Sequence, residues 1–200
     1  MSGVEVCDEV KNIFDRMKKV KQGGDQSDRL RLVVFRVCGK NIDVTETMTN
    51  KQCAGKDVYT IVRKHLREKD CCYILYDCHY RTVETSDHED LILLTWCHEN
   101  ATIKSKMIYS SSKPALKKAL NGIKLDLELT DFSDCSRKEF LTKLGKGEKL
   151  LSLEGRDCDR SDSDSDDDEE EHGSDHEHGK GCEKSGDKRQ DQAKGYGVKS

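Results

Sequence analysis

The sequence predicts an α/β (α+β) domain, a central mixed β-sheet sandwiched between helices, followed by a disordered acidic tail. Three observations carry this. Segments of 3.6-residue and two-residue apolar period alternate along the first three quarters of the chain. Two of the strand segments, Cys71 to Tyr80 (CCYILYDCHY) and Leu91 to Cys97 (LILLTWC), are almost continuously apolar, the pattern of strands covered on both faces. The charge also breaks sharply: residues 1–155 hold 27 Lys+Arg against 24 Asp+Glu, a net of +3, whereas residues 156–200 hold 8 against 15, a net of −7. The expected organisation is therefore one domain, 1–155, and a tail, 156–200.

The elements follow in order. Val6, Val10, Ile13, Phe14 and Met17 recur at helical spacing up to Lys21 and the Gly23-Gly24 breaker, predicting an amphipathic first helix. Arg31–Cys38 and Asn41–Thr47 read as strands of a hairpin turning at Gly39-Lys40, with residues 48–57 as loop. Asp57 is a candidate N-cap for a second helix to Leu66 that turns Val58, Ile61, Val62 and Leu66 inward. The two central strands come next, then a long helix over Thr102–Asn121 closed by Gly122. Lys124–Leu129 alternates as a strand, Arg137–Leu144 is a short helix and Leu150–Leu153 a last strand. This αββαββαβαβ order leaves helices for both sheet faces.

Ten cysteines are scattered without paired CxxC spacing, so reduced thiols and no zinc site are expected. Cys78-His79 and Cys97-His98 are strand neighbours whose side chains point to opposite faces, which gives no metal or nucleophile constellation; neither enzyme activity nor a cofactor is expected. No apolar run approaches the roughly 20 residues that span a bilayer, and the N-terminus lacks a signal-peptide core, so a soluble, cytoplasmic protein is expected.

The long helix carries the functional signal. At about 100° per residue, Ile108, Tyr109, Ala115, Leu116, Ala119 and Leu120, with Ser105 and Ser112 between them, form a core stripe. On the opposite face Ile103 and Met107 stand between Lys106, Lys113 and Lys117 on one edge and Lys104 and Lys118 on the other. An apolar pair within a lysine rim fits a partner with a hydrophobic cleft and acidic edges. Exposed apolar residues and solvated lysines are also ordinary, so the pattern alone leaves both readings open. Pro114 frees the Ser110 carbonyl on the outward side, where water can satisfy it.

The Ser2-Gly3-Val4 start, DCCYILYD at 70–77, the single Trp96, KSKMIYSSSK at 104–113 and SLEG at 152–155 together resemble the actin-depolymerising factor/cofilin family, in matching order over residues 1–155. The resemblance implies an actin-binding (ADF-homology) fold that binds ADP-actin monomers and filaments and promotes severing and depolymerisation without enzymatic chemistry. It implies actin contacts at Ser2, Gly3, Val4, Ile103, Lys104, Lys106, Met107, Ser112, Lys113 and Lys143. It further implies phosphoinositide binding through Lys104, Lys106, Lys113, Lys117 and Lys118, and a switch in which a kinase and phosphatase act on Ser2, where a phosphate adds about −1.5 to −2 charges. A cytoskeletal monomer is expected, with no nucleic-acid partner.

Two departures from the family matter. The stretch Glu84–Asp90 (ETSDHED) is acidic where basic residues are usual, which predicts filament binding weaker relative to monomer binding; and 27–34 (SDRLRLVV) lacks the basic nuclear-import run. In the tail, Ser161, Ser163 and Ser165 each precede an acid by three residues and suit acid-directed kinases, and His172, His176, His178, Asp175 and Cys182 are a loose metal-binding possibility. A solvated spacer, or an acidic competitor for the lysine rim, are the other readings of that segment. Actin binding without efficient severing and a tail-based metal binder stand as alternatives to the leading function.

Overall fold

A computed structural model describes residues 3–19, 25–83, 87–146 and 148–158. The phosphorylation expectations at Ser2, Ser161, Ser163 and Ser165, and the histidine-rich segment, lie outside these residues. The described residues all fall in the first of the two units into which the chain divides, Met1–Asp164.

The elements are β1 (Glu5–Val6), α1 (Asp8–Lys18), β2 (Leu30–Cys38), β3 (Asn41–Thr49), α2 (Asn50–Cys53), α3 (Val58–Lys64), β4 (Cys71–Thr82), β5 (Asp87–Cys97), α4 (Ile103–Ala119), β6 (Leu125–Leu129), α5 (Arg137–Gly145), β7 (Leu150–Leu153) and β8 (Arg156–Asp157). A 3-10 turn, Ser133–Cys135, precedes α5. The sheet order is β1-β3-β2-β4-β5-β6. Pairings β1/β3 and β5/β6 are parallel and the others antiparallel, so the sheet is mixed as expected. β4 is its axis. β2 pairs with it over Tyr73–Tyr76, and β7 takes the same edge at Tyr80–Thr82.

The two-residue period of β4 sorts its side chains into two cores. Cys72, Ile74, Tyr76 and Cys78 pack with Val58, Tyr59 and Val62 of α3 and Phe140 and Leu144 of α5. Cys71, Tyr73 and Leu75 pack on the other face with Val10, Ile13, Phe14 and Met17 of α1 and Tyr109, Leu116 and Leu120 of α4. Continuous apolarity in a central strand thus reflects helices on both sides.

Several boundaries differ from expectation. α1 starts at Asp8 rather than Val6, because Glu5–Val6 is drawn out as a strand against Asn41–Ile42. Residues 48–53 are not loop: β3 runs on to Thr49 and α2 follows, opened by a Thr49–Gln52 capping box. Asp57 caps α3 as expected, accepting from the amides of Tyr59 and Thr60. The acidic stretch expected as a turn enters β5 at Asp87, opposite Arg81. The folded chain also passes the expected boundary at 155. Glu154 (φ 52°) and Gly155 (φ 77°) form a tight hairpin turn, and β8 returns along β7. Arg156 then reaches Asp57 at 3.2 Å, and Cys158 packs on the core.

Candidate functional site

Thr102 opens α4 by accepting the Ser105 amide at 3.1 Å, so the first turn, which carries Ile103, is capped by its own sequence. The inward stripe is held firmly. Leu116 and Leu120 are buried, the Tyr109 hydroxyl accepts the Val37 amide at 3.0 Å, and the Tyr73 hydroxyl donates to the Tyr109 carbonyl. Pro114 and Ser110, whose carbonyl the proline frees, are both exposed. α4 ends at Ala119 with Leu120 as its cap, and the left-handed residue, Gly122 (φ 109°), comes two positions later.

Outward, Ile103 is 74% and Met107 67% exposed, which agrees with the helical phase read from the sequence. Lys104 in the same turn and Lys118 farther along α4 are exposed. Lys106 is half-buried, with its ammonium donating to the Glu99 carbonyl at 2.9 Å. β1 lies against α4, and its pairing with β3 carries the segment Gly3–Val4 to the same side of the sheet. Cys7, next in the chain, donates its thiol to Asp43 at 2.7 Å and tacks the segment down.

Two expected contact residues are placed differently. Lys113 is only 9% exposed, and its ammonium lies 2.8 Å from Asp126 and 2.7 Å from Glu128 of β6. Lys117 reaches the other oxygen of Asp126 at 2.8 Å. Burial pushes the Asp126 carboxyl up, but the hydrogen bonds from both lysines outweigh it and hold the group below the usual carboxylate range. Lys113 is therefore part of the helix-to-sheet seam and not of the open rim. Ser112 is fully buried, its hydroxyl donating to the Ile108 carbonyl at 2.6 Å, and has no surface to offer a partner.

Further charged and apolar residues lie on α5, β5 and β7. Lys143 stands 3.5 Å from Asp134. The acids of β5 have partners within the fold: Asp87 with Arg81 at 2.8 Å, Glu89 with Arg29 at 2.8 Å, and Asp90 accepting from the Tyr80 hydroxyl at 2.6 Å. Val83 (59% exposed) and Leu151 (42% exposed) add apolar area that the sequence reading missed. Their only signal is a strand period continued past Tyr80 and through β7.

Among the described residues, three buried or half-buried thiols are held in the protonated form. Burial pushes the Cys72, Cys97 and Cys135 thiols up to about 12, away from the thiolate.

The sequence pattern of the family described as cofilin/tropomyosin-type actin-binding protein matches residues 3–145. The chain belongs to that family. Among solved structures, the domain resembles a cofilin from Streptomyces griseoflavus (26% identity, TM-score 0.57, covering 70% of this chain and 98% of that one). It also resembles the ADF-like UNC-60A protein of Caenorhabditis elegans (27%, TM-score 0.58, 72% and 96%). A fold likeness extends to actin depolymerization factor 2 of Plasmodium berghei (24%, TM-score 0.62, 72% and 99%). Residues 3–145 are thus a cofilin-type actin-binding domain, and the ADF/cofilin family binds actin. No helix among the described residues is long and apolar enough to cross a membrane.

Proposed function

We propose that the domain binds actin monomers and filaments through the outward face of α4, and that binding promotes filament severing and subunit loss. The observation that carries this reading is the exposure of Ile103 (74%) and Met107 (67%) on a helix whose opposite stripe buries Tyr109, Leu116 and Leu120. Two large apolar side chains held in water by a rigid helix lose hydration only when a partner covers them. Lys104 and Lys106 flank them toward acidic edges of actin, and Gly3–Val4 extends the contact along β1. Phosphate on Ser2 would bring negative charge next to this face and oppose binding. Lys104, Lys106, Lys117 and Lys118 form the surface for phosphoinositides; Lys113 is left out because it is buried between Asp126 and Glu128, whereas Lys117, also paired with Asp126, keeps its side chain 53% exposed. Because any rate enhancement comes from preferring an altered filament geometry, no catalytic residue is required. A cytoskeletal location follows from the partner.

The test replaces Ile103 and Met107 together by Ala. Affinity for ADP-actin monomer should fall by about 2–4 kcal/mol, roughly 30- to 1,000-fold, with an unchanged thermal midpoint because neither residue supports the core. Unchanged affinity in that double variant, or in Lys104→Glu with Lys106→Glu, would sink the reading.

A second reading, actin binding without efficient severing, draws on the hairpin. Asp87, Glu89 and Asp90 put acids on the strand, and Lys143 is shared with Asp134. Filament co-sedimentation clearly weaker than monomer binding, with few breaks seen by microscopy, would favour it over the first.

A further inference from the structure

β4 and β5 set two thiols directly across from each other, Cys71 against Cys97. The hydrogen-bond pattern gives the type of that pair. One step further along the ladder, the His98 amide donates to the Asp70 carbonyl at 3.2 Å, which makes Asp70/His98 a hydrogen-bonded pair. In an antiparallel ladder the two types alternate, so Cys71/Cys97 is a non-hydrogen-bonded pair. The main-chain groups of Cys71 agree. Its amide donates to the Asp70 carboxylate at 2.8 Å and its carbonyl accepts from Arg36 at 3.4 Å, so neither is used toward β5. Pairs of this type bring their Cα atoms to about 4.5 Å, inside the window a disulfide spans and at its short end. Both side chains lie on the α1/α4 face, Cys71 buried there and Cys97 partly buried against the same cluster. Cys72, the chain neighbour, points into the opposite core.

We infer that Cys71 and Cys97 form a reversible cross-strand disulfide, a modification site at the end of β5 from which the chain turns into α4. The oxidant is a small disulfide. Cys97 is half-buried and Cys71 2% exposed, so Cys97 is the thiol an outside reagent reaches. Its thiolate attacks one sulfur of the small disulfide, forming a mixed disulfide and expelling one small thiolate. The Cys71 thiolate then attacks the Cys97 sulfur of that mixed disulfide, forming the Cys71–Cys97 bond and expelling the second small thiolate. The two protons lost from the protein end on the two small thiols, and the small disulfide has taken up the two electrons. Burial opposes the thiolate at both positions, so the exchange is slow at neutral pH. The charges facing the pair are Asp70, Arg36 from β2, Lys106 from α4 and Glu128 from β6, two acids and two bases. An excess of a small dithiol reverses the exchange by the same two steps.

The full chain is incubated with excess glutathione disulfide, remaining thiols are alkylated, and trypsin then cuts after Lys69, Arg81 and Lys104. The expected product is peptide 70–81 linked to peptide 82–104 through Cys71 and Cys97, lost on treatment with a dithiol. Cys72→Ser retains the link, whereas Cys71→Ser and Cys97→Ser abolish it, with circular dichroism confirming that each variant is folded. Should a serine variant unfold, alanine at the same position takes its place. A link that maps to Cys72 or Cys78, a link that survives Cys71→Ser, or recovery of Cys97 entirely as free thiol or mixed disulfide would overturn the assignment.

Discussion

Lys113 separates what a helix phase shows from what a fold does with it. By angle it belongs to the lysine rim, yet β6 covers that edge and gives its ammonium two carboxylates. Its loss should therefore appear as stability and not only as binding. Lys113→Met leaves Asp126, four-fifths buried, with a weaker partner set, and should lower unfolding stability by about 1–3 kcal/mol, read as a urea midpoint. Lys118→Met, on the exposed side of the same helix, should leave the midpoint in place. Equal midpoints for the two variants would return Lys113 to the rim. Asp57 is the second such residue. It caps α3, receives Arg137 at 2.7 Å and Arg156 at 3.2 Å, and ties three separate segments together. Asp57→Ala should cost about 3 kcal/mol or more, because it strips the cap and leaves the little-exposed Arg137 guanidinium short of its partner. A shift under 1 kcal/mol in chemical denaturation would contradict that.

α4 works as a lever whose underside is fixed and whose upper face is presented. Its first turn is held by the Thr102 cap and by the Lys106 ammonium on the Glu99 carbonyl, since Ile103 itself is 74% exposed. Thr102→Ala should cost about 1 kcal/mol, fray that turn and weaken actin binding several-fold without altering the buried stripe. Amide hydrogen exchange should quicken over residues 103–106 and stay slow around Leu116; uniform exchange along the helix would argue against a local effect. The C-terminal hairpin is a second element with a defined task. A chain ending at Gly155 loses β8 and the Arg156–Asp57 pair, and should unfold at lower urea than one ending at Cys158. Coincident unfolding curves would mean that β8 adds nothing.

Across the whole molecule, a buried charge network joins β2, β4, β5 and the β7–β8 turn. Arg31 reaches Glu154 at 2.7 Å, Arg29 reaches Asp77 at 2.7 Å and Glu89 at 2.8 Å, and the Tyr76 hydroxyl donates to Glu154. Burial pushes the Asp77 carboxyl up, but His79 and Arg29 outweigh it and hold the group below its ordinary value. A carboxyl with a depressed folded pKa contributes stability above its unfolded value, near pH 4, and loses it as pH falls through the folded value. Asp77→Asn should thus lower the urea midpoint clearly at pH 7 and much less at pH 3. An equal loss at both pH values would mean that the ionised form is not what matters.

The core stripe of α1, the Asp57 cap, the two-sided apolarity of β4 and β5 and the outward phase of Ile103 and Met107 were legible because they depend on local periods of 2.0 and 3.6 and on short-range capping. Residues far apart in the chain were not. β1 is a strand only because Asn41–Ile42 lies beside it, and β8 only because Glu154-Gly155 can turn back on β7. Sequence by itself determined which faces are apolar and that a greasy pair stands among lysines. Tertiary structure alone decided which of those lysines remain open to a partner, since a buried ammonium is drawn to whatever carboxylate the neighbouring strand supplies, and no local pattern names that strand.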